Sequence, residues 1–98
     1  MQDSACRRTV KVDLESGMHL RPYSMIAEAA RRFAAEIRLL NGERTADAKA
    51  VLELMSLNAD FGAELILEAN GGDAGEAVDA LAQLFDTNFD EEAAPSGS

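Results

Sequence analysis

Asn41-Gly42 lies between two short stretches, residues 36–40 and 44–46, and Asn-Gly is a strong signal for a type I′ hairpin. A two-residue turn joins antiparallel neighbours only, because parallel strands need a crossover of about a dozen residues or more. This one dipeptide therefore argues against a doubly wound parallel sheet. The remaining elements fit around it. Val10, Val12 and Leu14 alternate with Thr9, Lys11 and Asp13, the pattern of a half-buried strand. Glu64-Leu65-Ile66-Leu67-Glu68 predicts a further strand, ended by Asn70-Gly71-Gly72. A helix is expected over residues 20–33, with Tyr23, Ile26, Ala30 and Phe33 at three-to-four spacing. A shorter one is expected over 51–57, followed by Asn58 as a left-handed cap. In the last helix Asp73 and Glu76 have the spacing of a capping box, and Ala74, Ala77, Val78, Leu81, Leu84 and Phe85 form its apolar stripe.

The resulting order, βαββαβα, suits an α+β open-faced β-sandwich: an antiparallel four-stranded sheet covered on one face by three helices. Strands of alternating polarity agree with one covered and one wet face. With 98 residues, 47% hydrophobic and 28% charged, the chain makes one small domain, placed at 1–90, with a flexible acidic and polar tail at 91–98.

The net charge of −9 argues against a nucleic-acid grip built on phosphate neutralisation. The total hides an asymmetry. All nine Lys and Arg lie at or before Lys49 with seven Asp and Glu, whereas the second half holds eleven acids and no base. An anion site therefore belongs in the first half. Cys6 is the only cysteine, so an internal disulfide is excluded. No run approaches the roughly 18 apolar residues of a membrane span. Arg7-Arg8 is followed by alternating polarity rather than the apolar core of an export signal. A cytoplasmic protein without metal or cofactor is the expectation.

The chemistry concentrates in Gly17-Met18-His19-Leu20-Arg21-Pro22. Proline is tolerated in the first turn of a helix, which sets His19 at or beside the N-cap. A helix start offers unpaired amides and about half a positive charge, and together these favour an anion. Arg21 adds a guanidinium fork suited to phosphate oxygens, and Gly17 lets the loop approach without a side chain in the way. A phosphoryl group once attached to the imidazole is expected to meet donors already in place. A holder of phosphate is expected here rather than a phosphatase.

These residues resemble the HPr family, the histidine-containing phosphocarriers of the bacterial phosphotransferase system. The motif is similar to that family's G-[LM]-H-x-R-P phosphorylation site. The resemblance continues through Asn41-Gly42, Ala48-Lys49-Ala50-Val51-Leu52, Leu54-Met55-Ser56-Leu57 and Gly71-Gly72-Asp73, over about residues 7–88. It implies phosphate accepted on His19, at Nδ1, from a phosphoenolpyruvate-dependent enzyme I and passed to EIIA-type acceptors of a sugar or nitrogen-type relay. The protein would then be a carrier rather than a stand-alone enzyme. The resemblance gives Arg21 the neutralising charge, and Ser16, Gly17, the Leu20 backbone and Pro22 the support, with Ser16 in place to hydrogen-bond the imidazole. It also implies a partner-docking surface of Tyr23, Ser24, Ala27, Arg31, Val51, Leu52 and Met55.

The second helix carries more apolar surface than one buried side of so short a helix needs, which makes Val51, Leu52 and Met55 a patch for partners. That patch must stay free for successive partners, so a monomer is expected. The position of the family's regulatory serine is Ala50, without a hydroxyl, so control by an HPr kinase is not expected there. Tyr23 stands where a small residue is usual, implying a bulkier rim to the site, and Glu28 replaces a base along the first helix. The alternative from another class is a regulatory adaptor whose grip on a kinase or transcription factor is switched by phosphorylation of His19.

Overall fold

The computed structural model describes residues 5–90; the tail expected at 91–98 lies outside the described residues. Four strands, β1 (Ala5–Lys11), β2 (Glu36–Asn41), β3 (Arg44–Asp47) and β4 (Glu64–Asn70), alternate with three helices, α1 (Leu20–Ala30), α2 (Val51–Met55) and α3 (Ala74–Asp86). The sheet order is β1-β4-β2-β3 and every pairing is antiparallel. This is the expected open-faced sandwich.

Register explains why one face is covered. Leu39 pairs with Ala46 on β3 and with Leu67 on β4, and Val10 pairs with Leu65; all five are buried. The opposite face carries Arg7, Glu68, Arg38 and Asp47 side by side across all four strands, alternating in sign. Arg7 Nε lies 3.1 Å from Glu68 Oε2, an exposed pair that contributes little to stability but suits a wet face. Ala27 and Ala30 on α1 and Ala77 on α3 are fully buried, and α3 packs on the sheet while α1 packs against α2 and α3.

The ends of the elements differ from expectation. α1 stops at Ala30 rather than Phe33, because the Arg32 and Phe33 amides bond back three residues to Ala29 and Ala30 and tighten the chain into a turn. β4 runs on to Asn70, and β1 begins as early as Ala5 because β4 is long enough to pair with all of it. Asn58 has φ 51, the left-handed conformation expected of it.

The capping box of α3 does not form. Asp73 is the N-cap without a side-chain cap bond, and its carboxylate instead accepts the Ala34 and Ala35 amides at 2.9 and 2.8 Å. Those donors lie in the bend between α1 and β2, outside helix or strand, and Asp73 satisfies both at once.

At its far end α3 closes with a left-handed Asn88 (φ 58). The Phe89 amide reaches back to Leu84 O at 2.8 Å and the Asn88 amide to Phe85 O at 3.0 Å, the bonding pattern of a Schellman motif. Phe89 is thereby folded under the helix, buried, with its ring 4.9 Å from that of Phe85 in an edge-to-face contact.

Candidate functional site

His19 is the N-cap of α1, exposed and in extended backbone (φ −147, ψ −166), and its side chain makes no cap hydrogen bond. The first intrahelical bond runs from Tyr23 N–H to His19 O at 3.1 Å. The Leu20 and Arg21 amides precede that bond, and Pro22 has no amide to offer, so the helix directs two main-chain donors toward the space beside the imidazole.

The loop before His19 is held from both sides. Gly17 N–H bonds Leu14 O at 2.8 Å and closes a turn, and Met18 N–H bonds Ala59 O at 2.9 Å. Gly17 is buried with φ +79, and a Cβ there would stand 3.1 Å from Ala59 O. Glycine is thus required twice over, by its backbone angle and by the close approach of the 59–61 segment. That segment also receives Tyr23, whose hydroxyl accepts the Ala59 amide at 3.4 Å.

At the other end of α1, Arg31 Nε donates to Lys49 O at 3.2 Å. α2 therefore runs back along α1 from Arg31 toward His19. Leu54 on α2 and Leu57 just beyond it belong to the core, while Leu52 is 83% exposed, Met55 41% exposed and Val51 half-buried. Ala50 is the N-cap of this helix, with no hydroxyl to modify. Ser56, the C-cap of α2, donates its hydroxyl to Glu53 O at 2.6 Å.

Two expected docking residues are corrected. Tyr23 and Ala27 are buried at 2% and 0%, on the face of α1 that packs into the core, so neither offers a surface to a partner. The three-to-four stripe of α1 already placed Tyr23 with Ile26 and Ala30; the bulk expected at the rim is instead inside. Burial pushes the Tyr23 hydroxyl above the ordinary phenol value, with the Ala59 amide working against it and the Asp60 carboxylate adding to it. Ser24 is half-buried and Arg31 exposed.

The expected bond between Ser16 and the imidazole is also not formed. Ser16 is exposed in the turn, and among the described residues neither its hydroxyl nor the His19 ring makes a side-chain hydrogen bond to the other.

Arg21 is engaged in a way the sequence did not suggest. Its Nη1 donates to Phe89 O at 3.1 Å and to Met25 Sδ at 3.2 Å, one helical turn along. The Schellman turn after α3 is what presents that carbonyl, so this turn touches the start of α1. Phe89 gave no sequence signal beyond being a lone aromatic among polar residues. Leu20 and Phe61, each 57% exposed, were missed as surface apolar groups. The signal for Phe61 was a phenylalanine in a turn sequence, Asn58-Ala59-Asp60-Phe61-Gly62.

Among the described residues no group of three His, Cys, Asp or Glu could hold a metal, and no helix is long and apolar enough to cross a membrane. An exposed imidazole at a helix start, with main-chain donors and an arginine in the first turn, can hold a phosphoryl group by hydrogen bonds and charge alone.

Comparison with known proteins agrees. The family model described as "PTS HPr component phosphorylation site" matches residues 6–87. The chain is 36% identical over 85 residues to the phosphocarrier protein HPr of Treponema pallidum, covering 87% of this chain and 97% of that one. It is 37% identical over 87 residues to the phosphocarrier protein NPr of Escherichia coli K12, covering 88% and 97%. Among solved structures, the HPr of Bacillus anthracis superposes with a TM-score of 0.78 at 32% identity, over 84% of this chain and 98% of that one. The chain belongs to the HPr family of phosphocarrier proteins of the phosphotransferase system.

Proposed function

We propose that this protein carries a phosphoryl group on His19 between a phosphoenolpyruvate-dependent enzyme I and EIIA-type acceptors in the cytoplasm, acting as a monomer. A ring nitrogen of His19 attacks the phosphorus of the phosphorylated donor. The new N–P bond replaces the donor's, and the acceptor's nucleophile later reverses the step. The observation that carries this reading is the exposed His19 at the N-cap of α1, ahead of the Leu20 and Arg21 amides, in a chain of the phosphocarrier family. The transferred oxygens gain charge where those amides lie, so the backbone needs no rearrangement, while the Arg21 side chain, held at Phe89 O and Met25 Sδ, swings over to add its charge.

Leu52 and Met55, with Val51 beside them and Arg31 at the far end of α1, supply the docking surface. An exposed leucine beside a flexible thioether suits successive partners of different shape. Ala50 makes the relay independent of serine phosphorylation at that position, which fits a nitrogen-type or a sugar relay without an HPr kinase.

Incubation with enzyme I and phosphoenolpyruvate is expected to label the wild type and leave His19→Ala unlabelled. The label is expected to be acid-labile and base-stable, and to move on to an EIIA domain. Label on His19→Ala would overturn the assignment, and label that reaches no acceptor while binding a regulator would favour the adaptor.

A further inference from the structure

The turn at residues 58–62 is fastened to the loop that carries His19, and it presents the one exposed phenylalanine among the described residues. Met18 N–H bonds Ala59 O at 2.9 Å, Ala63 N–H bonds Asp60 O at 3.0 Å, and Gly62 N–H bonds Val12 O at 2.8 Å. The Phe61 amide lies 3.7 Å from where a Cβ on Gly17 would stand. Phe61 is thus held on a rigid backbone at the border of the site, 57% exposed, as is Leu20 immediately after His19.

An aromatic ring presented this way gains apolar burial on binding while little of the chain has to be ordered. A groove of about 490 Å³ runs from Phe61 between the end of β1 and the C-terminal part of α3. Its exposed carboxylates are Asp13 and Asp86, and Asp60 adjoins Phe61. Of the two cations lining the groove, Arg8 is paired with Asp79 at 2.6 Å, which leaves Lys11 against the three carboxylates of Asp13, Asp60 and Asp86. The flank at the other end of α1 is the reverse, with Arg31 and Arg32 exposed.

We propose that Phe61 is a second docking anchor, distinct from the Leu52–Met55 surface, and that it enters an apolar recess rimmed by Lys or Arg on the protein that exchanges phosphate with His19. This rests on the phosphocarrier reading. The turn is bonded to the residue beside His19, so any protein that brings a reacting group to the imidazole covers it, the donor included. Phe61 sets affinity and choice of partner and takes no part in the chemistry.

The test is phosphoenolpyruvate-dependent phosphorylation by the enzyme I of the same genome, with the concentration of this chain varied. Phe61→Ala is expected to raise KM about five- to thirtyfold, the effect of losing an interface anchor, with kcat and melting temperature unchanged. Phe61→Leu is expected to recover most of the loss and Phe61→Gln none. Asp60→Lys is expected to raise KM in dilute buffer, by an amount that shrinks near about 0.5 M salt. A KM for Phe61→Ala within twofold of a normally labelled wild type overturns the anchor and leaves the carrier reading standing. No label on the wild type overturns both.

Discussion

Gly17→Ala offers a sharp test of how the site loop is held. The backbone at Gly17 is left-handed at φ +79, which costs an L-residue about 1–2 kcal/mol. The new Cβ would also stand 3.1 Å from Ala59 O and 3.3 Å from Asp60 Cα. Neither atom can retreat easily, because Ala59 O already accepts the Met18 amide at 2.9 Å and the turn is pinned by Gly62 N–H to Val12 O at 2.8 Å. Compression of this kind adds about 1–2 kcal/mol, for a total of about 2–4. In a domain of this size each kcal/mol lowers the melting temperature by about 4–8 °C, so a fall of about 10 °C or more is expected. Gly42→Ala is the control. Gly42 has φ +62 but nothing within 4 Å of a Cβ, so it should lose the backbone term alone, about 1–2 kcal/mol. Urea denaturation of both variants separates angle from contact. Equal losses, or a Gly17→Ala within about 0.5 kcal/mol of wild type, would refute the close approach of the 59–61 segment as the reason for glycine.

Three further outcomes are expected. Tyr23→Phe leaves the Ala59 amide without its acceptor and is expected to cost about 1 kcal/mol, whereas Tyr23→Ala empties a core site and costs about 3–5, both read by urea denaturation. Arg21→Met removes the bond to Phe89 O; a loss of about 1 kcal/mol together with slower labelling of His19 is expected, and unchanged values in both would contradict its dual role. The Asp73 carboxyl is held below the ordinary carboxylate value, first by the Ala34 amide and with the Ala35 amide adding, against partial desolvation. Because the folded state lowers this pKa, the stabilisation is complete above the unfolded carboxylate range and is lost as pH falls through the folded value. The gap in urea midpoint between wild type and Asp73→Asn is therefore expected to be full near neutrality and to close in acid; a gap independent of pH would contradict the clamp.

Local pattern was enough to read every element and the place of His19. The hairpin signal at Asn41-Gly42, the alternation in the strands and the position of Pro22 are all properties of neighbours in the chain, and each acts within a few residues. The turn type differs from the expected I′: Asn41 pairs with Arg44, so the two turn residues are Gly42 and Glu43, and of these Gly42 alone has positive φ. The same locality explains the misreadings. Asp73 has the right spacing to cap its own helix, but two amides of a bend 38 and 39 residues away hold it more fully. Tyr23 follows the proline of the motif and so reads as rim, yet the helical period turns it inward beneath the 59–61 segment.

The sequence by itself determined the antiparallel sheet, the order of its elements and a histidine at a helix start, because turn chemistry, periodicity and capping are short-range. What surrounds that histidine was decided by tertiary structure alone. The grip of Arg21 on Phe89 O, the seat of Gly17 against Ala59 and the bond from Gly62 to Val12 that holds the turn of Phe61 each join segments some 40 to 70 residues apart. Such contacts depend on where the packed helices and strands bring backbone donors and acceptors, and no window along the chain contains them.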